Sequence, residues 1–375
     1  MARELLPSAA MRVASFVLLF VAACSSGSGD DAIPPASATP PADNAVAPPN
    51  APPPPGTTTP PAPPPPPPMP VPYTNAVLAK DCPDPGVLAS GGMFYMTCTG
   101  GKFEIRSSKD LVTWTDTGSS ILPSGKAPWA ADGNRNWAPE IHEVSPGAFV
   151  AYFTASDAQG HLAIGAASAT SPTGPFTDRG GPLVQNATGV IDATFFADDD
   201  GKKYLYWKLD GNSKGQPTPI FAEELTADGL SFAAGASAHQ VLVNDAATWE
   251  GGVVEAPWVI KRSGTYFLFY SGNVYDQRYR TGVARASSPT ATFTKKGTPI
   301  LDNNNDWVGP GHGSVVTVGT SQWFVHHAWP TDGAGNRDAN KGREVLLDAI
   351  VWGADGWPSF ATNSSAVGKQ LGPAI

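Results

Sequence analysis

The stretch WEGGVVEAPW, Trp249 to Trp258, sets an acid, Glu255, directly before Ala-Pro and an apolar run. Four other stretches share that layout: CPDPGVLA around Asp84, WAPEIHEV around Glu140, VIDATFFAD around Asp192 and GPGHGSVVTV around His312. Each places a polar side chain at the mouth of a strand-like run, followed by a Gly-rich or polar turn and a second run rich in Tyr, Phe and Trp. The five polar residues lie 52 to 63 residues apart. Such a period marks repeated supersecondary units. Five of them fill the chain after about residue 74, which predicts an all-β protein, a five-bladed β-propeller whose polar residues converge on one axial mouth.

Internal matches support the repeat independently of the acids: ASATSPTGPFTDRG, residues 167 to 180, is echoed by ARASSPTATFTKKG, residues 284 to 297. The longest step, between Asp192 and Glu255, implies an insertion in the third unit around Asp210 to Pro219. The run Asp198-Asp199-Asp200-Gly201 ends in the Asp-Gly of a hairpin turn and lacks the ligand spacing of a calcium loop. Charged residues make up only 15% of the chain, against 11 Trp and 40 Gly, a balance that suits short strands and turns better than helices. A formal net charge of −9 gives no footprint for nucleic acid, and the chain is expected to act as a monomer on a neutral substrate.

The start of the chain reads as an address. Arg3 and Arg12 precede the apolar run VASFVLLFVAA, which is too short for a transmembrane helix, and Val21-Ala22-Ala23-Cys24 has the form of a bacterial lipobox. Residues 1–24 are therefore read as a lipoprotein signal peptide with Cys24 as the lipidated residue, an ordinary secretory signal being the alternative. Residues 25–72 are dominated by Pro, Ala, Ser and Thr and read as a disordered linker, leaving 73–375 as the propeller domain at the cell envelope. Of the remaining cysteines, Cys82 and Cys98 are expected to be unpaired. A two-residue turn at Gly91-Gly92 puts Cys98 opposite Pro85, about 10 Å along the strand from Cys82, beyond the ~7 Å reach of a disulfide.

Asp84, Asp192 and Glu255 arrive at comparable unit starts, and glycoside cleavage needs carboxyls of this kind: one to protonate the leaving oxygen, another to activate water or attack. The set Asp84-Pro85, NWAPEIH (136–142), IDATFF (191–196), VEAPW (254–258) and GPGH (309–312) resembles, in order, the motif series of glycoside hydrolase family 43. The resemblance implies a five-bladed propeller and an inverting mechanism, with Asp84 as general base, Glu255 as general acid and Asp192 as the group that raises and orients the acid. It also implies that His312 helps hold a calcium ion or its waters at the channel. Of the adjacent His326 and His327, His327 better fits the pattern of a substrate-binding residue. Trp137, Phe195, Trp258 and Trp329 are candidate sugar-stacking walls, and Arg343 can reach the site from the last unit. Glu140 receives no acid or base role. The substrate expected is arabinan or arabinose side chains of plant cell-wall polysaccharide. A β-xylosidase of the same family and a non-catalytic glycan-binding propeller are the alternatives, separated by loops such as 277–280 and 331–341.

Overall fold

The structure, a computed structural model, describes residues 69–375, so the stretch read as a signal peptide, Cys24 and most of the Pro-rich stretch lie outside the described residues. Five antiparallel sheets follow one another along the chain. Blade I is built from Gly86–Ser90, Met93–Thr97, Glu104–Ser108 and Thr115–Ser120. Blade II begins at Trp137–Ser145, blade III at Val190–Ala197, blade IV at Val254–Arg262 and blade V at Trp307–Val318. The molecule is the five-bladed propeller that the repeat predicts.

Alternation along each strand puts aromatic and branched side chains into the seams between blades. Each seam has its own apolar cluster. Ile105 and Phe153 lie between blades I and II, Tyr152 and Leu205 between II and III, and Tyr206 and Leu268 between III and IV. Phe269 stacks on Phe324 between IV and V, and Met96 packs with Leu347 where V meets I. Full burial of one such side chain stabilises by about 1.5–3 kcal/mol, so the five seams hold the ring together. Closure comes from the entering segment, which crosses blade V: Val77 N–H donates to Val345 O at 2.9 Å and Tyr73 OH to Leu347 O at 2.7 Å. Pro72–Tyr73 pairs with Gln370–Leu371 beside it.

The inserted segment of blade III forms a single 3-10 turn, Gly211–Lys214. Asp198-Asp199-Asp200-Gly201 is a hairpin turn, closed by Asp198 N–H to Lys202 O at 2.8 Å, with Gly201 at φ 87°. Asp198 turns its carboxylate inward to Lys261 and the Tyr266 hydroxyl, a structural use.

One backbone feature recurs in all five blades. Where the inner strand starts, a non-glycine residue adopts the left-handed conformation: Asp84 (φ 57°), Ala138 (42°), Asp192 (58°), Ala256 (54°) and His312 (44°). Such residues cost on the order of 1 kcal/mol or more each and persist only where neighbours hold them. In every case a side chain of the preceding blade accepts the N–H. His327 Nδ1 takes Asp84 at 3.0 Å, Thr99 Oγ1 takes Ala138 at 2.8 Å, Thr154 Oγ1 takes Asp192 at 3.3 Å, Asp192 Oδ2 takes Ala256 at 3.0 Å and Ser271 Oγ takes His312 at 2.9 Å. The same kinks corrects the alignment of the blades. Ala138-Pro139 matches Ala256-Pro257, so the counterpart of Glu255 in blade II is Trp137, and Glu140 sits one step deeper.

The kink at Asp84 also overturns the expectation for the cysteines. The strand register is as read, Gly86 facing Thr97, but the chain doubles back before Gly86 and Thr99 N–H donates to Pro83 O at 2.8 Å. Cys82 is thereby carried to Cys98, 5.2 Å away between Cα atoms, and the two form a disulfide.

Candidate active site

Three kink residues, Asp84, Asp192 and His312, and the residues just before the other two, Trp137 and Glu255, line one axial cavity of about 270 Å3, together with Arg343, Thr99, Lys208 and Tyr275. Close packing of the inner strands keeps it narrow. A Cβ at Gly86 would collide with the carbonyl oxygen of Pro139 in the neighbouring blade.

Asp84 is the most heavily bonded acid. Its Oδ1 faces Arg343 Nη1 at 2.9 Å, His312 Nδ1 at 3.2 Å and His327 Nδ1 at 3.3 Å, and Thr99 Oγ1 donates to Oδ2 at 2.5 Å. Burial pushes its pKa up, but Arg343 and then His312 outweigh that and hold it well below the ordinary carboxylate value. Asp84 is thus ionised at any pH near neutrality. His327 does not line the cavity. It lies behind Asp84, stacked on Tyr279, and burial followed by the Arg343 charge brings its pKa down to about 3. The neutral ring can therefore accept the Asp84 N–H.

Glu255 is gripped at both oxygens: Lys208 Nζ lies 2.8 Å from Oε2, and Tyr279 OH donates to Oε1 at 2.8 Å. Lys208 is wholly buried and also touches Asp210 Oδ1 at 2.9 Å. Burial lowers its pKa, but Glu255, Asp210 and Asp192 raise it further, so it keeps its charge. Asp192 differs. Burial first, then the charges of Glu255 and Asp84, raise it to about 7 against the opposing pull of His312 and Lys208. Just below neutrality Asp192 therefore holds a proton. His312 stands between the acids. Burial lowers its pKa, yet Asp84, Asp192, Glu255 and Glu140 together raise it.

Of the aromatic walls expected from sequence, only Trp137 lines the cavity. Phe195 and Trp258 come three residues after Asp192 and Glu255, roughly 10 Å further down the channel, and both rings pack on His142, 5.4 and 5.6 Å between centroids. Glu140 is there too, bonded to His142 Nε2 at 2.7 Å. Lys208, Tyr279, Thr99 and Tyr275 escaped sequence reading. Lys208 did leave a signal, a charge set between Trp207 and Leu209 within an apolar strand, because a buried Lys is nearly always paired.

Among the described residues no group of three or more His, Cys, Asp and Glu is placed to hold a metal ion. Calcium prefers six to eight oxygen ligands. At His312 it would meet one imidazole and an aspartate already shared with a guanidinium. These residues form no calcium cage of their own, and no step below is routed through one.

The family model for glycosyl hydrolases family 43 matches residues 73–358. The chain belongs to that family. Among family-43 relatives, Beta-D-galactofuranosidase xynD of Aspergillus niger is 33% identical over 60% of this chain and 65% of its own length. Probable arabinan endo-1,5-alpha-L-arabinosidase C of Aspergillus clavatus is 30% identical over 63% and 76%. The extracellular exo-alpha-(1->5)-L-arabinofuranosidase of Streptomyces avermitilis is 26% identical over 77% and 63%. The match thus spans less than two-thirds of the length of two of these three relatives. A thermostable family-43 glycoside hydrolase of known crystal structure superposes with a TM-score of 0.67 at 29% identity, covering 77% of this chain and 96% of that one.

Proposed function

We propose that this family-43 protein hydrolyses arabinofuranosyl linkages in arabinan or arabinose-bearing polysaccharide, with inversion at the anomeric carbon. The observation that carries the reading is the contrast of carboxyls in the cavity: Asp84 held ionised by Arg343 and His312, and Asp192, near Glu255, raised to about 7. Asp84 takes the proton of an attacking water as the water's oxygen bonds to the anomeric carbon. The glycosidic bond breaks, and Glu255, as general acid, gives its proton to the departing oxygen. Arg343 and Thr99 orient Asp84, while Lys208 and Tyr279 orient Glu255. Trp137 offers a flat wall to the sugar. The relatives named arabinanase and arabinofuranosidase support the choice of sugar.

The chain is further proposed to be exported and anchored through a lipid on Cys24, with the Pro-rich stretch as spacer. The extracellular relative and the disulfide, a bond kept in oxidising compartments, support export.

Linear 1,5-linked arabinan is the first substrate to test. Arabinose or short oligomers released by residues 69–375, and absent with Glu255→Gln, support the reading. Proton NMR of the first-formed product reads the anomeric outcome, and retention would overturn the mechanism. Release of xylose from xylo-oligosaccharides, with no product from arabinan, would move the assignment to a β-xylosidase.

A further inference from the structure

Beside the axial cavity, across the loop that follows the second strand of blade IV, lies a second cavity of about 270 Å3, lined by Val274, Tyr275, Asp276 and Arg337. Val274 and Tyr275 line both. The loop is built to present that tyrosine. Asp276 N–H donates to Val274 O at 2.7 Å, a turn of three residues with Tyr275 at its apex. Trp329 Nε1–H donates to Tyr275 O at 3.0 Å, tying the apex to blade V. Tyr275 is 57% exposed, the one aromatic among the exposed large apolar side chains of the described residues.

Its surroundings are those of a sugar platform rather than a stray surface ring. Arg343, the residue bonded to Asp84, lies over the Tyr275 ring at 5.1 Å. On the blade V side Arg337 stacks over Trp329 at 4.9 Å and forms no ion pair among the described residues. Its guanidinium is therefore open to other acceptors. Asp276 is fixed by Arg278, at 2.6 Å between Oδ2 and Nη2, and supplies carboxylate oxygens at the same wall. An aromatic face with a free guanidinium and a fixed carboxylate matches a sugar ring, which has an apolar face and a rim of hydroxyls.

We propose that this second cavity is a subsite for a further sugar unit of the same substrate chain, with Tyr275 and Arg337 as its specificity-determining residues. The inference rests on the reading of the axial cavity as a glycoside-cleaving site and narrows it: the substrate is an oligomer that extends past the unit seated over the carboxylates, not a lone side-chain sugar. Because Arg343 touches both the platform ring and Asp84, occupation of the subsite also steadies the base.

The test is kcat/KM on 1,5-linked arabino-oligosaccharides of two to five units, with xylo-oligosaccharides of the same lengths in parallel, for the wild type, Arg337→Ala and Tyr275→Ala. The wild type is expected to gain about tenfold, equivalent to ~1.4 kcal/mol, at one step of the series. Arg337→Ala, a partly exposed substitution whose folding is checked by its melting temperature, should lose most of that gain, and Tyr275→Ala as much or more. A flat series in the wild type, or an undiminished step in Arg337→Ala, overturns the proposal. Activity on the xylose series alone would refute the arabinose assignment and still decide the subsite by the same step. If neither series is cut, calorimetric titration of both series into Glu255→Gln and Glu255→Gln/Arg337→Ala decides it, a length-independent affinity or one unchanged by Arg337→Ala being the overturning result.

Discussion

The junction of blades II and III and the junction of blades III and IV solve the same backbone problem differently. At the first, Thr154, a neutral hydroxyl on the second strand of blade II, accepts the N–H of left-handed Asp192. At the second, the corresponding place on blade III holds Lys208, which faces Ile191 across the hairpin as Thr154 faces Trp137. A lysine cannot accept an N–H. The N–H of left-handed Ala256 is taken instead by Asp192 Oδ2, and Lys208 is released to grip Glu255. Asp192 therefore makes a structural bond while burial keeps it protonated just below neutrality. With Oδ2 committed as acceptor, its proton belongs on Oδ1.

Four measurements would break or sharpen that contrast. The largest effect is expected from Glu255→Gln, which removes the acid end of the III–IV junction. Arabinan hydrolysis should fall by about 10²–10⁴-fold, the usual contribution of a positioned general acid, with the melting temperature nearly retained. Lys208→Met comes next. It strips Glu255 and Asp210 of a buried cation, so a stability loss of about 3–5 kcal/mol and a rate loss of roughly a hundredfold are expected.

The pH profile separates positioning from simple damage. Asp192, at about 7, is protonated below that pH and loses its proton above it, so kcat/KM should hold on the acid side and fall as pH rises past 7. Asp84 is held below its ordinary value, so no second fall is expected down to about pH 4. Lys208 pulls the pKa of Asp192 down, and Lys208→Met should move the basic limb to higher pH. An unmoved limb with a uniformly lower rate would leave Lys208 a structural role only.

Smaller effects are expected where the lock is a hydroxyl. Thr154→Val leaves the Asp192 N–H without an acceptor, and Ser271→Ala does the same to His312. Each should cost about 1–3 kcal/mol in denaturant unfolding. The rate should suffer more in Thr154→Val, by up to about tenfold, because Asp192 holds a proton near Glu255. Equal loss in both variants would mean that the two junctions do not differ in function.

Most of the propeller was legible because a blade is a local object: a run, a turn and an aromatic run recur within about 57 residues, and alternation decides which side chains fill the seams. The acids were legible for the same reason. What escaped reading lies at the left-handed kinks, where periodicity breaks. Counting from Glu140 rather than Trp137 misaligned blade II by two or three residues, and a straight-strand offset kept Cys82 from Cys98. Phe195 and Trp258 follow the kinks in sequence but lie down the channel in space. Lys208 reaches Glu255 from the second strand of blade III and Tyr279 from the loop before the third strand of blade IV, contacts that no spacing within one motif encodes.

The disulfide beside Asp84 gives the kink at the ring's seam a memory of compartment. It closes a loop of 16 residues around the first hairpin, a constraint worth on the order of 3 kcal/mol against the unfolded chain. That loop starts where blade V hands over to blade I, next to Asp84, which the ring holds ionised. A chain folded in a reducing compartment would have the same sequence and the same acids but a looser hinge under one of them. Under the proposed export, oxidation is a finishing step, one that tightens the ring beside Asp84.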